Sequence, residues 1–322
     1  MQLQFLGTSA GVPTRRRNVT ALAVLCSQGK GWFLIDCGEG TQHQVLQTSL
    51  SLNQLQGICI THMHGDHCYG LPGLLSSAAM NGRKAPLTII APKGIQQWIE
   101  ATALYSEFNL GYELSFIEVN SQLHHRVGAV TIEAAKLSHR VPSHAYSFTE
   151  KTADFKLDVE KLIRDGVPRG PLWGQISKGI SVAVNDRQIS AQDYLIANHE
   201  AEKIVVGGDN DTPSLLGEIC HGCQVLVHEA TYTEDVALKV GSDVGHSYAR
   251  LVAEFAQQAQ IANLVLTHFS PRYQDHLKAA HCIDDIRHEA QQFYKGNLFL
   301  ARDFATFDLD KQGQLSLMSR DL

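Results

Sequence analysis

The segment that most constrains this chain is a cluster of metal-binding side chains placed just after an apolar run. The run Leu55–Ile60 has the composition of a buried strand, and within a few residues it is followed by His62, His64, Asp66 and His67. Imidazole nitrogens and carboxylate oxygens suit zinc, and a loop after a strand can direct alternate side chains towards more than one ion. The alternative is a polar loop that is merely rich in histidine. The clustering favours a metal site at the end of a buried strand.

The composition limits the kinds of protein that this sequence can encode. The 322 residues carry 27 Lys and Arg against 33 Asp and Glu, and the formal net charge of −6 argues against a generally basic nucleic-acid binder without excluding a local basic patch. No apolar run reaches membrane-spanning length, and no export leader begins at Met1. The seven scattered cysteines do not suggest a disulfide scaffold. We therefore expect a soluble protein of the reducing cytoplasm that does not bind membranes.

Several later apolar runs also end on residues that can bind metals or transfer protons. After the first cluster the pattern alternates between strands and helices, which is typical of an α/β protein. The residues at or just after the ends of such runs are His139, Asp209, His228 and His268. Open α/β sheets place their sites at the carboxyl ends of strands, so these side chains can lie beside the first cluster. No linker separates two autonomous domains, and we expect one domain over residues 1–322.

Three other patterns have an ordinary interpretation beside a functional one. Arg15, Arg16 and Arg17 follow the turn after the first strand and can simply form a solvated loop. Within residues 150–190, the segment Asp165–Trp173 is rich in Gly and Pro and has no clean core periodicity, which is typical of a surface insertion. The CxxC spacing in Cys220-His221-Gly222-Cys223 is zinc-like, but a structural site needs four ligands and no second pair lies at a suitable distance.

The pattern His-x-His-x-Asp-His, continued by Gly65–Leu75, resembles the metal motif of the metallo-β-lactamase superfamily, and within it the ribonuclease Z family. Further motifs of that family occur in order at Asp36–Gln42, His228–Thr231 and Gly245–Ser247. The resemblance extends from residue 2 to about residue 304, and the ordered set of motifs is far more specific than any one of them.

The resemblance implies a fold and a set of metal ligands. The implied fold is of the α/β class, a four-layered αββα sandwich with a flexible arm, residues 150–190, that projects from the core. The site would hold two zinc ions per subunit, although His/Asp sites also accept Mn²⁺ or Co²⁺. The implied ligands are His62, His64 and His139 for one ion, Asp66, His67 and His268 for the other, and Asp209 as the bridge.

The resemblance also implies how the site works. A hydroxide shared by the two metals would attack a phosphodiester, with Asp66 orienting it or taking its proton. His246 would serve as the acid, or electrostatic stabiliser, at the leaving oxygen, and Glu229 would orient His246 and keep it protonated. The family commonly has Thr where Asn210 stands and a small hydroxyl residue where Tyr248 stands, which bears on the surroundings of the bridging aspartate and of His246.

The implied activity is that of a zinc-dependent endoribonuclease that removes the 3′ trailer of precursor tRNA. It would cut near the discriminator nucleotide and leave a 3′-hydroxyl on the tRNA and a 5′-phosphate on the trailer. The Arg15–Arg17 loop and the arm, with Lys161 and Arg169, would contact phosphates, and a homodimer is implied. The alternatives are a small-substrate hydrolase or cyclic-nucleotide phosphodiesterase of the same superfamily, and a non-catalytic RNA-binding relative.

Overall fold

The computed structural model describes residues 1–151, 155–184, 187–197, 201–275 and 279–318. The strands are β1 (Gln2–Gly7), β2 (Ala21–Leu25), β3 (Trp32–Ile35), β4 (Leu55–Cys59), β5 (Leu87–Ala91), β6 (Leu114–Glu118), β7 (His124–Val127), β8 (Val130–Leu137), β9 (Ser143–Glu150), β10 (Phe155–Leu157), β11 (Val182–Val184), β12 (Arg187–Ile189), β13 (Leu195–Ala197), β14 (Glu202–Val206), β15 (Val225–Glu229), β16 (Asn263–Thr267), β17 (Asn297–Leu300), β18 (Thr306–Leu309) and β19 (Leu315–Leu317). The α-helices are α1 (Thr41–Val45), α2 (Gly65–Cys68), α3 (Leu71–Met80), α4 (Ile95–Ser106), α5 (Val159–Arg164), α6 (Pro171–Ile176), α7 (Glu234–Val240), α8 (Ala249–Gln258) and α9 (Ile283–Phe293).

The described residues cluster into two compact units. One unit contains residues 1–150 and 203–322, and the other contains residues 151–202. The sequence predicts an arm at residues 150–190, whereas the compact unit extends from residue 151 to residue 202. Residues 152–154, 185 and 186 of that arm lie outside the described residues.

The larger unit is built on two mixed sheets. Sheet 1 has the strand order β19-β18-β1-β2-β3-β4-β5-β6, and sheet 2 has the order β17-β16-β15-β14-β9-β8-β7. In sheet 1 the strands β3 to β6 are parallel, and in sheet 2 the strands β14 to β17 are parallel. These parallel strands are nearly continuous apolar runs because both faces of each sheet are covered.

Three apolar clusters fill the spaces between the layers of this unit. The middle cluster joins the two sheets and includes Phe33, Phe148 and Val206. A second cluster packs sheet 1 against α3 and α4, and a third packs sheet 2 against α8 and α9. The order of layers is therefore helix, sheet, sheet, helix, and the predicted α/β fold with an αββα sandwich is confirmed.

The smaller unit has an apolar core of its own. Leu162, Ile176, Val182, Ile189 and Tyr194 are buried together. The two-stranded sheets β10-β13 and β11-β12 and the helices α5 and α6 surround this core. The Gly- and Pro-rich segment predicts a surface insertion without a core, whereas the structure has one. The composition is compatible with both, because Gly and Pro are also common in the short turns between small elements.

The segment after residue 304, which the sequence motifs did not cover, completes sheet 1. β18 pairs antiparallel with β1, with Leu3 opposite Phe307, and β19 pairs antiparallel with β18. Among the described residues, no helix is both long and apolar enough to cross a membrane.

Candidate metal centre

The loop after β4 is held in place by a buried carboxylate from the neighbouring strand. Asp36 follows β3 with a positive φ of 58°, an uncommon backbone conformation for a non-glycine residue. Its carboxylate accepts hydrogen bonds from the Thr61 backbone N–H at 2.7 Å and from the Thr61 hydroxyl at 2.8 Å. The chain then turns into α2, which begins at Gly65. This arrangement directs the four clustered side chains towards the carboxyl ends of the parallel strands.

The first group of ligand atoms comes from both sheets. His64 Nδ1 lies 3.0 Å from His62 Nε2 and 3.1 Å from His139 Nε2. Asp209 Oδ2 lies 3.6 Å from His62 Nε2 and 3.8 Å from His139 Nε2. Ligand atoms around one tetrahedral zinc ion at bond lengths near 2.0 Å are about 3.3 Å apart. The four side chains therefore have the spacing that one ion requires.

The second group lies on the other side of Asp209. His67 Nε2 and His268 Nε2 are 3.2 Å apart, and each is 3.5 Å from Asp66 Oδ2. Asp209 Oδ1 lies 3.4 Å from each of these two nitrogens. One oxygen of Asp209 thus faces each group, which is the geometry of a carboxylate bridge between two ions. All seven sequence-proposed ligands meet at this centre.

The histidines are oriented by hydrogen bonds at the nitrogen that faces away from the centre. His67 Nδ1 lies 2.7 Å from Asp36 Oδ2, and His139 Nδ1 lies 2.7 Å from the carbonyl oxygen of Gly245. His268 Nδ1 lies 3.1 Å from the Thr231 hydroxyl. When these Nδ1–H groups donate outward, each Nε2 keeps its lone pair for a metal. Buried histidines that ligate metals are held in this way.

The electrostatics of the centre also fit bound cations. Asp36, Asp66 and Asp209 are largely buried, and the ion-pair partners that the described residues supply to them are histidines. Burial raises the pKa of Asp209, but His268, His67 and His62 outweigh it and hold that pKa well below its ordinary value. Burial holds the pKa of His62 well below its ordinary value, which favours the neutral ring that binds metal. Burial also lowers the pKa of His67, but Asp209 and Asp36 outweigh it and raise that pKa well above its ordinary value. The carboxylates of the centre therefore favour positive charge beside them, which divalent cations can supply.

His246 and Glu229 form a pair at the edge of the centre. His246 Nδ1 lies 3.0 Å from Glu229 Oε2 and 3.7 Å from Asp209 Oδ2. Glu229 is buried at the end of β15, and it also accepts a hydrogen bond from the Asn210 backbone N–H at 2.7 Å. Burial lowers the pKa of His246, but the Glu229 carboxylate, helped by Asp209, raises it to about 9. The pair is arranged to keep the ring protonated.

Two residues near the pair support it in a way that the sequence did not reveal. The Asn210 side-chain amide donates to His228 Nε2 at 3.2 Å, and His228 Nδ1 donates to the Glu229 carbonyl oxygen at 2.7 Å. The Asn210 side-chain oxygen also accepts from the Ser138 backbone N–H at 3.3 Å. Both nitrogens of buried His228 are therefore engaged within the protein, which is typical of a structural histidine rather than of a metal ligand. The sequence feature that could have pointed to this role is Asn210 itself, because the family commonly has Thr at this position.

The loop after β1 contributes a contact that the sequence reasoning missed. The Gly11 backbone N–H donates to Asp66 Oδ2 at 2.7 Å. This is the same oxygen that faces His67 and His268. No sequence pattern marks a backbone donor of this kind, because any residue but proline carries one.

The structure corrects one of the proposed phosphate contacts. Arg17 is buried, and its guanidinium donates to the Thr8 hydroxyl at 2.9 Å, the Ala301 carbonyl oxygen at 3.0 Å and Asp275 at 2.9 Å. A side chain with these partners anchors the loop. Arg15 and Arg16 are exposed, and the side chain of Arg16 is 74% accessible.

The two basic residues proposed in the arm lie within the smaller unit. Lys161 Nζ donates to the Asp193 carbonyl oxygen at 2.8 Å and lies 4.8 Å from the centre of the Tyr194 ring. The Arg169 guanidinium lies 5.3 Å from the centre of the Trp173 ring. Arg169 is exposed and Lys161 is half-buried, and each already packs on an aromatic ring.

Similar solved structures identify the class of protein. The metallo-β-lactamase fold protein YhfI from Bacillus subtilis matches with a TM-score of 0.65 and 17% identity, over 95% of this chain and 98% of that chain. Human tRNase Z, short form, matches with a TM-score of 0.67 and 25% identity, over 96% of this chain and 100% of that chain. The fold is that of the metallo-β-lactamase superfamily, as the resemblance implied.

Sequence relatives identify the family. The chain is 48% identical to ribonuclease Z of Pseudomonas putida (strain W619) and 50% identical to ribonuclease Z of Marinobacter nauticus, and 98% of each chain is covered. Residues 1–154 also match the family model described as Anti-Pycsar protein Apyc1. The ribonuclease Z relatives match nearly the whole chain at 48% and 50% identity, whereas the Apyc1 model matches residues 1–154 alone, so the relatives determine the family. The chain belongs to the ribonuclease Z family and is a hydrolase of the ribonuclease type.

Proposed function

We propose that this protein is a zinc-dependent endoribonuclease that removes the 3′ trailer of precursor tRNA. Cleavage near the discriminator nucleotide would leave a 3′-hydroxyl on the tRNA and a 5′-phosphate on the trailer. The observation that carries the proposal is the pair of ligand groups that share Asp209, one group facing Oδ1 and the other facing Oδ2. The family name of the relatives and the printed name of human tRNase Z support the choice of substrate.

The donor set suits two zinc ions, one per ligand group. Bound there, the ions would polarise the phosphodiester and lower the pKa of the attacking water. His62, His64 and His139 would hold one ion, Asp66, His67 and His268 would hold the other, and Asp209 would bridge them. Mn²⁺ or Co²⁺ suits the same donors.

Asp66 is the residue that we assign to the attacking water. Its Oδ2 faces the second ligand group and is fixed by the Gly11 N–H at 2.7 Å. The hydrogen bond leaves the other carboxylate oxygen to accept a proton from water. Asp66 thereby orients the nucleophile or takes up its proton.

His246 is the residue that we assign to the leaving oxygen. The ring is partly accessible, with 14% of its side chain exposed, while its partner Glu229 is buried. Because Glu229 binds Nδ1, the Nε2–H is available to donate a proton to the 3′-oxygen as the bond to phosphorus breaks. Glu229 acts through His246 and positions it.

Substrate contact is proposed for four basic residues. Arg15 and Arg16 are exposed on the loop that Arg17 anchors, and in the smaller unit Arg169 is exposed and Lys161 is half-buried. The smaller unit, residues 151–202, carries 7 Lys and Arg against 8 Asp and Glu. A general positive field is therefore absent, and binding by this unit must depend on specific positions.

The decisive experiment is to incubate the zinc-loaded protein with a precursor tRNA and map the cut to the nucleotide. One cut near the discriminator, with a hydroxyl on the tRNA and a phosphate on the trailer, is the expected result. A small cyclic nucleotide assayed in parallel tests the alternative of a small-substrate phosphodiesterase. Rapid hydrolysis of that compound without cleavage of precursor tRNA would overturn the proposal.

We further propose a cytoplasmic homodimer. All seven cysteines are free thiols, which suits a reducing compartment. The homodimer is proposed from the family resemblance, and Leu46, Met80 and Tyr105, which are large apolar side chains exposed on or beside helices of the larger unit, are the first positions to test for a subunit contact. Light scattering during size-exclusion chromatography tests this state, and a mass near 35.4 kDa would indicate a monomer instead.

A further inference from the structure

Cys220 and Cys223 lie together at a turn before β15. The Cys223 backbone N–H donates to the Cys220 carbonyl oxygen at 3.0 Å, which closes a four-residue turn. Such a turn keeps its first and last Cα atoms within about 7 Å, and disulfides need Cα atoms about 4.4–6.8 Å apart. Gly222 has a φ of 69°, and a Cβ there would meet nothing within 4 Å. The turn therefore brings the two thiols into reach of each other without steric obstruction.

The two thiols differ in access to solvent. A cavity of about 620 Å³ at this point is lined by both cysteines and by Phe255, Gln258 and Gln260. Cys220 is buried at 4% exposure, whereas Cys223 is half-buried. A small molecule in the cavity can thus reach the half-buried Cys223 more readily than the buried Cys220.

The charges around the pair favour Cys223 as the more reactive thiol. A hydrogen bond from Cys220 lowers the pKa of Cys223 against the opposing effect of burial, and Lys203 lowers it further. Lys203 is fixed nearby, since its Nζ donates to the His221 carbonyl oxygen at 3.1 Å. By contrast, burial raises the pKa of Cys26, the other half-buried thiol, to about 11.

The pair does not belong to a metal site within the described part of the chain. The groups of three or more possible metal ligands found there do not include either cysteine. A dithiol without further ligands, at a solvent-filled cavity, has the arrangement of a redox pair.

We propose that Cys220 and Cys223 are a redox-sensitive dithiol that a low-molecular-weight disulfide, such as oxidised glutathione, converts reversibly into an intramolecular disulfide. The Cys223 thiolate attacks one sulfur of glutathione disulfide, and the first glutathione leaves and takes up the proton that Cys223 lost. Cys220 then gives up its proton and attacks Cys223 Sγ, and the second glutathione leaves as a thiol. The protein loses two electrons and two protons, and one glutathione disulfide becomes two glutathione molecules.

The test begins with the unmodified, metal-loaded protein. Limited alkylation with iodoacetamide near neutral pH should label Cys223 at least about tenfold faster than Cys26, because the thiolate is the reactive form. Incubation with oxidised glutathione, followed by peptide mass spectrometry, should show the loss of two hydrogen atoms within residues 220–223. Dithiothreitol should restore both thiols.

Two variants separate the roles of the thiols. Cys220→Ser should stop at a stable glutathione adduct on Cys223, whereas Cys223→Ser should leave the buried Cys220 unmodified. Cys26→Ser is the matched control and should oxidise like the parent. Equal labelling of Cys26 and Cys223 in the parent, or two intact thiols after oxidation, would overturn the proposal. The measurement on the parent decides the matter even if a variant fails to fold.

Discussion

At the scale of single residues, four histidines of the centre, His62, His67, His139 and His268, each have a hydrogen-bonding partner outside it. Thr61 illustrates this, since its hydroxyl binds Asp36 and also lies 3.0 Å from His62 Nδ1. The Thr231 hydroxyl has the same role, since it donates to the Glu229 carboxylate and lies 3.1 Å from His268 Nδ1. Replacing a residue of the centre should therefore change chemistry more than folding, because the partners hold the remaining side chains in place.

Asp66→Ala should lower the rate of precursor tRNA cleavage by more than about 100-fold, or about 2.7 kcal/mol in barrier height. The variant loses both a proposed metal ligand and the group that takes the proton from water. Single-turnover cleavage and circular dichroism measure rate and fold separately. Asp243→Ala removes an exposed carboxylate and serves as the control. A loss of less than about tenfold would exclude the assigned role of Asp66.

Glu229→Gln should move the alkaline limb of the pH–rate profile to lower pH by at least about one unit. His246 donates a proton, so activity falls as pH rises through its pKa, and the Glu229 carboxylate raises that pKa. The amide keeps the size of the side chain but lacks its charge. Glu150→Gln, which changes another buried carboxylate, is the matched control. An unchanged alkaline limb would show that His246 is not the titrating acid.

The arginines of the first loop should divide into two kinds. Arg15→Ala and Arg16→Ala should weaken tRNA binding and leave thermal stability unchanged. Arg17→Ala should lower the free energy of unfolding by about 1–3 kcal/mol, because it leaves the buried partners of the guanidinium unpaired. Filter binding and thermal denaturation measure the two effects. The division is wrong if Arg17→Ala affects binding alone.

At the scale of elements, the sequence predicted those strands whose apolar pattern is continuous. The apolar runs Ala21–Leu25 and Leu87–Ala91 predict strands, and they coincide with β2 and β5. The amphipathic pattern of Ser247–Ala259 predicts a helix, and it contains α8. β9 was missed because it contains polar residues such as Ser143 and His144, which are buried only through contacts with the rest of the fold. The small core of residues 151–202 was missed because its apolar residues are separated by turns.

Replacing Lys151–Ala201 by a short flexible linker should spare hydrolysis of a small aryl phosphodiester and sharply reduce cleavage of precursor tRNA. No proposed ligand lies in this segment, and β9 and β14, which flank it, are neighbours in sheet 2. A shorter deletion, of residues 151–178 alone, would leave Val182, Ile189 and Tyr194 without their core partners. Kinetics on both substrates should show the loss mainly in KM for tRNA.

A double variant, Lys161→Ala with Arg169→Ala, isolates the basic contacts in the same unit. Each lost phosphate contact should reduce the slope of log affinity against log salt by about one. Lys30→Ala removes an exposed lysine of the larger unit and is the control.

Two outcomes of the linker variant would contradict the proposed role of residues 151–202. Equal loss of activity on the aryl phosphodiester and on precursor tRNA would mean that the segment supports the core. Unchanged cleavage of precursor tRNA would mean that the segment is an ordinary insertion.

At the scale of the whole molecule, the centre connects the two sheets. His62, His64, Asp66 and His67 follow a strand of sheet 1, and His139, Asp209 and His268 follow strands of sheet 2. Local spacing in the sequence predicts the ligand motif after β4. Local spacing does not predict that this motif contacts residues about 200 positions away, because the tertiary fold brings those residues together. Those distant ligands were predicted from their positions at strand ends together with the family resemblance.

Removing the metals should therefore destabilise the whole larger unit. A ligand present at 100 times its dissociation constant stabilises the folded state by about 2.7 kcal/mol, so chelation should lower the Tm by several degrees. Calorimetry with and without a chelator, followed by zinc addition, measures the effect. Apo Asp66→Ala should respond less to added zinc than apo parent. An unchanged Tm would mean that no ion joins the sheets.

The pairing of β1 with β18 has a consequence for biosynthesis. Leu3 and Phe307 face each other across sheet 1, although about 300 residues separate them. While the ribosome extends the nascent chain, β1 emerges early and one edge of it has no neighbour until β18 follows. A bare strand edge can pair with another chain, so newly made molecules pass through a stage at which they are prone to aggregate. Molecular chaperones that shield β1 during translation should therefore raise the yield of native protein.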